Sequence, residues 1–156
     1  MHPEFVKKPE MTLVGFVGCG ADVSQLDICG LWKRFDAHSK HIKNQVEDRS
    51  YEIHIQEETA PPMHFCLVGV EVSKLDDLRL ELFAKVVPAC EYAVFTHRFR
   101  DGGFGHAFKA VYNWLENSEY APAYPFDIQC YDSRFKGPED PESILEIWVP
   151  VKPGQR

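Results

Sequence analysis

The sequence passes twice through the same order of elements, and this internal repeat constrains the fold more than any other feature. When the two passes are superimposed, four pairs of segments match: KPEMTLVGF with VPACEYAVF, DICGLWKRF with AFKAVYNWL, YEIHI with FDIQC, and CLVGVEV with LEIWVPV. Each pass holds one strand, one helix and two further strands. Because 156 residues suit one domain, we predict a single α+β domain over residues 1–156. It consists of duplicated βαββ units related by a pseudo-twofold axis, with repeat halves at about 4–72 and 86–152.

Hydrophobic periodicity gives the extent of each element. The six predicted strands, three in each pass, cover residues 11–18, 51–57, 64–72, 90–99, 126–132 and 144–151. Helices are predicted at about 24–39 and 105–117, because each carries apolar residues at the i, i+3, i+4 and i+7 spacing of one helical face. Asp22 and Gln25 are expected to form a capping box at the start of the first helix. For residues 73–85 the sequence allows two predictions, a short helix or an irregular crossover.

Composition and charge exclude several classes of function. The 24 acidic side chains outnumber the 17 of Lys and Arg and leave a net charge of −7, whereas nucleic-acid binding requires a basic face. We therefore expect no direct nucleic-acid binding. The sequence has no apolar run of 18 residues and no apolar stretch at its start, so we expect no membrane span and no signal peptide. Five scattered cysteines indicate free thiols and a cytoplasmic location.

Familiar cofactor and catalytic motifs are missing from the sequence. The glycine-rich turn at 102–105 precedes a helix but lacks the spacing of phosphate-binding loops. His38 and His41 are spaced as a possible metal pair, yet the nearby Lys40 and Lys43 oppose a cation there. No nucleophile motif such as GxSxG is present. We therefore predict no metal, no cofactor and no standard hydrolytic machinery.

Glu146 is the one carboxylate in an unexpected setting. In the strand 144–151 one face carries only apolar residues, while Glu146 shares the other face with Ile144, Trp148 and Pro150. A buried and unpaired carboxylate would cost several kcal/mol. Two interpretations stay open. Glu146 lies on a solvated edge or pairs with an arginine, or it is a cleft acid that awaits a cationic ligand.

Aromatic side chains are available as walls for such a cleft, since each ring can add about 0.5–2 kcal/mol of cation–π attraction. Trp32 and Tyr112 occupy equivalent positions in the two helices, which predicts that they approach a shared axis. The candidate wall residues are Trp32, Tyr112, Trp114, Tyr131 and Trp148. Ordinary core packing is the competing interpretation for each of them.

Several segments together resemble a known family. PACEYAVFTHRF, VYNWLENSEYAP, CYDSRF and LEIWVPVK, in this order and spacing, resemble the GyrI-like small-molecule-binding domain, also called the AraC-type or bacterial transcription-activator effector-binding domain. KPEMTLVGF and LWKRF resemble its first half, so the similarity covers nearly the whole chain. The resemblance implies a ligand cleft between the halves that takes lipophilic, often cationic, compounds around a glutamate with aromatic walls. Relatives often carry a DNA-binding helix-turn-helix domain, and this chain resembles a freestanding version without one.

The resemblance also implies individual site residues. The acid of the family's final strand falls on Glu146, the tyrosine and tryptophan of its second helix fall on Tyr112 and Trp114, and the tyrosine after that helix falls on Tyr120. The family's penultimate strand usually reads Glu-x-Tyr, whereas this sequence has Gln129-Cys130-Tyr131. A neutral amide can hydrogen-bond a ligand but cannot neutralise a cation.

Three functions remain as hypotheses. The first is binding of lipophilic, preferentially cationic, small molecules with Glu146 as counter-ion, by a stand-alone effector sensor or a sequestering protein. The second is a small hydrolase of reactive electrophiles that uses Glu146 with Tyr112 or Tyr131, which the neutral Gln129 disfavours. The third is a protein-interaction module whose acidic loop 139–142 contacts a basic partner.

Overall fold

Nine strands and two α-helices make up the computed structural model, which describes residues 1–46 and 48–155. In chain order they are β1 (Glu4–Lys8), β2 (Met11–Gly20), α1 (Ile28–His38), β3 (Ser50–Gln56), β4 (His64–Val72), β5 (Phe83–Val87), β6 (Cys90–Arg98), α2 (Phe104–Asn117), β7 (Tyr120–Pro122), β8 (Phe126–Tyr131) and β9 (Ile144–Pro153). Among these described residues, neither helix is long and apolar enough to cross a bilayer.

The strands form one antiparallel sheet whose order reflects the repeat. Its path is β1-β6-β9-β8-β3-β4-β2-β5, and β7 pairs with β9. β1 leads into β2 yet pairs with β6, while β5 leads into β6 yet pairs with β2. Each half therefore receives its outermost strand from the segment that enters the other half. The predicted α+β fold of duplicated βαββ units is confirmed.

The pairing register shows how closely the two halves correspond. In the first half Thr12 of β2 lies opposite Val72 of β4, and in the second half Glu91 of β6 lies opposite Val151 of β9. Glu91 follows Thr12 by 79 residues along the chain, and Val151 follows Val72 by the same number. The sequence match of these four strands has the same displacement.

The halves meet where β3 pairs with β8, and there Glu52 lies opposite Gln129. These two are also equivalent residues of the repeat. Glu52 lies opposite Val68 of β4, and Gln129 lies opposite Ile147 of β9. Val68 and Ile147 are again 79 positions apart, so their partners occupy equivalent places in the two halves. The pseudo-twofold axis therefore passes between Glu52 and Gln129. The match of YEIHI with FDIQC was wrong by two positions, since it made Glu52 equivalent to Asp127. A shift of two residues preserves the alternation of a strand and so escapes notice in the sequence.

The two faces of the sheet are packed differently. On one face, α1 covers the buried side chains of β2 and β4, and α2 covers those of β6 and β9. The apolar face of the strand 144–151 thus packs under α2, as its composition indicates. On the opposite face a third cluster contains Leu13, Tyr51, Ile53, Tyr92, Ile128 and Trp148. On the face that carries the helices, neither helix covers the central strands β3 and β8. The site lies in the space that this leaves between α1 and α2.

The first helix begins later than predicted. α1 starts at Ile28, and the Asp27 side chain caps it by accepting a backbone N–H at 3.0 Å. Asp22 instead caps a short 3-10 turn at Val23–Gln25 by accepting the backbone N–H of Ser24. The capping box was assigned to the wrong aspartate because both acids precede apolar residues in the sequence.

Three strands were not predicted. β1, β5 and β7 are short, and most of their side chains are exposed or only half-buried. An outer strand that buries little of either face does not show the alternation that identifies a half-buried strand. The end of the segment 73–85 belongs to β5, which is an edge strand of the sheet. Neither of the two predictions for this segment included a strand.

Candidate functional site

A cavity of about 890 Å³ lies between α1 and α2, with β3 and β8 as its floor. The residues at its walls come from both halves of the repeat. From α1 and its approach they are Val23, Ile28, Cys29, Trp32 and Asp36, and from α2 they are Phe104, Phe108 and Tyr112. The floor and rim are formed by Asp48, Ser50, Glu52, His54, His64, Asp127, Gln129, Tyr131, Asp132, Ser133 and Phe135.

Glu52 occupies the middle of this floor and is only 5% exposed. Trp32 Nε1 donates to Oε1 of Glu52 at 2.7 Å, and Gln129 Nε2 donates to Oε2 at 3.0 Å. His54 Nε2 lies 2.5 Å from the same Oε2. None of these three partners is permanently charged. A buried carboxylate whose partners are neutral or titratable is a site that a cationic ligand can complement.

His54 links Glu52 to a second histidine. Its Nδ1 lies 2.8 Å from Nε2 of His64, so the three side chains form a continuous hydrogen-bonded row. Burial alone would lower the pKa of His54, but the hydrogen bond and charge of Glu52 outweigh it and raise that pKa. Burial and the neighbouring His54 lower the pKa of His64. A proton on this row is therefore held by His54 rather than by His64.

The orientation of the Gln129 amide is fixed by Tyr131. The Tyr131 hydroxyl donates to Oε1 of Gln129 at 2.7 Å, which directs Nε2 of the amide toward Glu52. Burial raises the pKa of Tyr131, so its phenol stays protonated as the donor. Gln129 thus hydrogen-bonds the buried carboxylate.

A second acid, Asp127, lies on the cavity floor. Tyr112 donates its hydroxyl to Oδ2 of Asp127 at 3.2 Å. Burial raises the pKa of Asp127, although the charge of His54 and the Tyr112 hydrogen bond oppose this. Burial and the charge of Asp127 raise the pKa of Tyr112 to about 12.

The charge of the lining is one-sided. Asp36, Asp48, Glu52, Asp127 and Asp132 line the cavity, and none of the described lining residues is Lys or Arg. The basic side chains among the described lining residues are those of His54 and His64, which are titratable. A concave site of one sign, with apolar walls, concentrates its potential on ligands of the opposite sign.

Aromatic rings enclose the space above the acids. Trp32 and Tyr131 meet edge to face with ring centroids 4.9 Å apart, and Tyr131 meets Phe135 in the same way at 4.8 Å. Phe108 and Tyr112 of α2 face these rings from the other wall. Rings fixed in this way offer both apolar area and the negative π-face that attracts cations.

The structure brings four of the seven predicted site residues to the cavity. Trp32, Tyr112, Gln129 and Tyr131 all line it, and Trp32 with Tyr112 faces it from opposite helices. Trp114 does not lie there. Its ring packs near Phe95 and Tyr120, with centroids 5.3 and 5.9 Å away, in the cluster under α2.

Glu146 and Trp148 lie on the other face of the sheet, so the predicted placement of Glu146 in the cleft is corrected. Arg134 Nη2 lies 2.7 Å from Oε1 of Glu146, which is the pairing with an arginine that one interpretation of the sequence allowed, and Trp148 Nε1 donates to Oε2 at 2.9 Å. The alternation of the strand was interpreted correctly, but the cleft opens on its apolar face and not on the face of Glu146. The hydrolase hypothesis loses its pairing, since Glu146 lies across the sheet from Tyr131 and Tyr112.

The acids that do line the cavity were missed. Glu52 and His54 alternate with Tyr51, Ile53 and Ile55 in the segment YEIHIQE, which is typical of a strand with one solvated face. No local signal says that this polar face is covered. The signal that could have identified Glu52 is its position next to the repeat axis, which requires the register of the two halves.

The chain matches a family model and a curated protein over nearly its full length. Residues 1–152 match the model described as GyrI-like small molecule binding domain. The transcriptional regulator BrlR of Pseudomonas aeruginosa is 30% identical over 153 residues, which are 97% of this chain and 56% of the regulator. The chain therefore spans little more than half the length of this relative.

Solved structures share the fold. The structure of SAV2435 bound to tetraphenylphosphonium has a TM-score of 0.76 and 19% identity, and the match covers 97% of this chain and 94% of that one. The EcmrR C-terminal domain has a TM-score of 0.68 and 14% identity, with 96% of both chains covered. At these identities the likeness establishes the architecture.

Proposed function

The chain belongs to the GyrI-like small molecule binding domains, and from this premise we propose that it binds lipophilic organic cations in the cavity between α1 and α2, with Glu52 as the counter-ion. The proposal keeps the ligand class of the first hypothesis and moves the acid from Glu146 to Glu52.

The observation that carries the proposal is the charge of the lining. Five carboxylates line the cavity, and of these Asp132 is paired with Arg134, while none of the described lining residues is Lys or Arg. The most buried of them, Glu52, is held by Trp32, Gln129 and His54 and lacks a permanent cationic partner. A monovalent cation that enters gains the attraction of Glu52 at low dielectric constant, whereas an anion of equal size meets repulsion.

The size and walls of the cavity favour a bulky aromatic or aliphatic ligand. A volume of about 890 Å³ lies within the range of pockets that hold drug-sized molecules. Trp32, Tyr131 and Phe108 offer ring faces from both halves. The structure of SAV2435, which shares the fold, has tetraphenylphosphonium bound, and that compound is a lipophilic cation. That compound is therefore the first probe for this chain.

The biological use of this binding is sensing or sequestration. BrlR, which resembles this chain over 153 residues, is a transcriptional regulator, and this supports a regulatory use of the domain. We propose the same use here: occupancy of the cavity is a signal read by a DNA-binding partner, or it withdraws the compound from the cell.

The test compares two ions of the same shape and opposite charge. Isothermal titration of the protein with tetraphenylphosphonium and with tetraphenylborate separates charge from hydrophobicity. We expect saturable 1:1 binding of the phosphonium and no measurable binding of the borate. At about a hundred times its dissociation constant, the phosphonium should add about 2.7 kcal/mol of apparent stability in thermal unfolding. Equal binding of both ions would refute a charge-selective site.

A further inference from the structure

Three side chains of different chemistry converge at the cavity floor, where Glu52 and His54 line the cavity and Cys66 lies buried behind them. His54 of β3 lies opposite Cys66 of β4 in the strand register, and Glu52 precedes His54 on the same face. One ring nitrogen, Nε2 of His54, lies 2.5 Å from Oε2 of Glu52 and 3.9 Å from Sγ of Cys66. The three donor atoms all lie within 4.8 Å of one another.

We propose that Glu52, His54 and Cys66 form a binding site for a divalent transition metal ion of the zinc class. One imidazole nitrogen, one carboxylate oxygen and one sulfur are the donor types that Zn²⁺ takes in proteins. Three protein ligands leave one tetrahedral position free, which is the arrangement of a site that exchanges a fourth ligand. Since Glu52 and His54 line the cavity, that position is reached from it.

The spacing of the donors suits such an ion after small movements. Usual zinc bond lengths in a tetrahedron separate nitrogen from oxygen by about 3.3 Å and nitrogen from sulfur by about 3.5 Å. The carboxylate oxygen would have to move outward and the sulfur inward, each by less than about 1 Å. A rotation of the side chains achieves this, while β3 and β4 stay in register.

An outer layer of hydrogen bonds already orients two of the ligands. His64 Nε2 lies 2.8 Å from Nδ1 of His54 and leaves Nε2 of His54 for the metal. Trp32 holds the other carboxylate oxygen of Glu52, and Gln129 also donates to the carboxylate. Ligands of metal sites are usually fixed by such partners, whose loss costs about 10–100-fold in affinity.

The thiol makes metal binding at this site depend on pH. Burial and the charge of Glu52 raise the pKa of Cys66, so without a metal it is a neutral thiol. A coordinated thiol is deprotonated, and its proton leaves to solvent together with any proton held by His54. Zinc binding is therefore expected to release protons and to strengthen as pH rises.

This inference is separate from the proposed function, although both use Glu52. A metal ion and an organic cation would compete for the carboxylate, whereas Cys66 serves only the metal. Loss of metal binding with intact phosphonium binding would thus overturn the inference alone, and the reverse result would overturn the proposed function alone.

The experiment uses Co²⁺ as a spectroscopic substitute for zinc. The exposed Cys19 and Cys29 are first replaced by serine, so that the remaining thiols are the half-buried Cys90 and the buried Cys66 and Cys130. Titration with Co²⁺ should give thiolate-to-cobalt charge-transfer absorption in the near ultraviolet and the intense visible bands of a tetrahedral ion, and Zn²⁺ should abolish both. Absence of the charge-transfer band in this protein would overturn the proposal.

Matched variants assign the band. Cys66→Ser should eliminate it, while Cys130→Ser, which alters an equally buried thiol on the opposite face, should leave it intact. His64→Phe should weaken Co²⁺ binding by about 10–100-fold without removing the band. Phosphonium binding should persist in Cys66→Ser, which also shows that this variant is folded. A charge-transfer band that survives Cys66→Ser would contradict the site. If Cys66→Ser loses both its fold and the band, Cys66→Ala is tested in the same way, and a folded Cys66→Ala protein should lack the band.

Discussion

Two glutamates on opposite faces of one sheet are held in similar ways but have different electrostatic partners. Glu52 accepts from the indole of Trp32 at 2.7 Å, and Glu146 accepts from the indole of Trp148 at 2.9 Å. The second partner of Glu146 is Arg134, whereas Glu52 has Gln129 and His54. The Glu52 side chain is buried at 6% exposed and the Glu146 side chain is half-buried at 16% exposed, so both carboxylates are largely shielded from solvent.

The difference lies in whether the charge is already neutralised. A guanidinium is always protonated and makes Glu146 part of a permanent ion pair. Glu52 is surrounded by an amide, an indole and an imidazole, and only the imidazole can become cationic. A ligand can therefore supply the missing charge at Glu52 but would have to displace Arg134 at Glu146. Burial of an acid is common to both places, and the identity of its partner separates a binding site from a structural contact.

The largest contrast is expected between the two tryptophans. Trp148 is 2% exposed and packs against Tyr51 and Tyr92, so Trp148→Ala should cost about 3–5 kcal/mol of unfolding free energy. Trp32 borders the open cavity, so Trp32→Ala should cost less stability but should weaken phosphonium binding. Urea denaturation and isothermal titration of both variants measure the two effects. If Trp32→Ala is the more destabilising change, Trp32 is chiefly a core residue.

A smaller effect is expected from the titration of His54, measured with a chelator present. The charged and titratable groups around it are Glu52, His64, Cys66 and Asp127. Below its raised pKa, the His54 cation neutralises Glu52 and repels the ligand. Phosphonium affinity should therefore increase by up to about tenfold per pH unit, about 1.4 kcal/mol, until pH reaches the folded-state pKa of His54.

The stability of the unliganded protein should change in the opposite direction. A raised histidine pKa stabilises the fold fully below the ordinary value near 6.5, and this contribution is lost as pH rises through the folded-state pKa. His54→Gln should flatten both profiles. A dependence of affinity on pH that survives in His54→Gln would assign the titration to another group, and Asp127 would be the first to test.

The smallest effect is expected from the ion pair on the other face. Arg134 is 42% exposed on its side chain and contacts both Asp132 and Glu146. Arg134→Met should lower the unfolding free energy by about 0.2–1 kcal/mol, as for other exposed pairs. Because Arg134 also pairs with Asp132, which lines the cavity, its removal uncovers a negative charge there and should leave phosphonium affinity equal or slightly higher. A clear loss of affinity would contradict this electrostatic account.

The repeat predicted the fold, because buried strands keep their pattern in both halves. β2 and β4 match β6 and β9 at the displacement of 79 residues that the pairing register has. The helices were found from their apolar faces, and Trp32 and Tyr112 both line the cavity between them. The outer strand β5 gave no signal, because its exposed side chains are not selected by packing.

The acid of the cavity could not be predicted for a different reason. A strand pattern shows which side chains share a face, but it does not show what covers that face. Glu146 attracts attention among bulky apolar neighbours, yet its partner Arg134 stands twelve residues away along the chain in a loop. Glu52 sits in an ordinary alternating strand and becomes a cavity floor only because two helices from different halves stand over it.

The measurement that tests this account most directly is a titration of tetraphenylphosphonium into Glu52→Gln and Glu146→Gln side by side. Both changes are isosteric and remove one negative charge. Glu52→Gln should weaken binding by about 2–5 kcal/mol, as expected when a buried charge loses its partner, while Glu146→Gln should leave the affinity unchanged. Full phosphonium affinity in Glu52→Gln, or a loss confined to Glu146→Gln, would contradict the assignment of the counter-ion to the cavity between the helices.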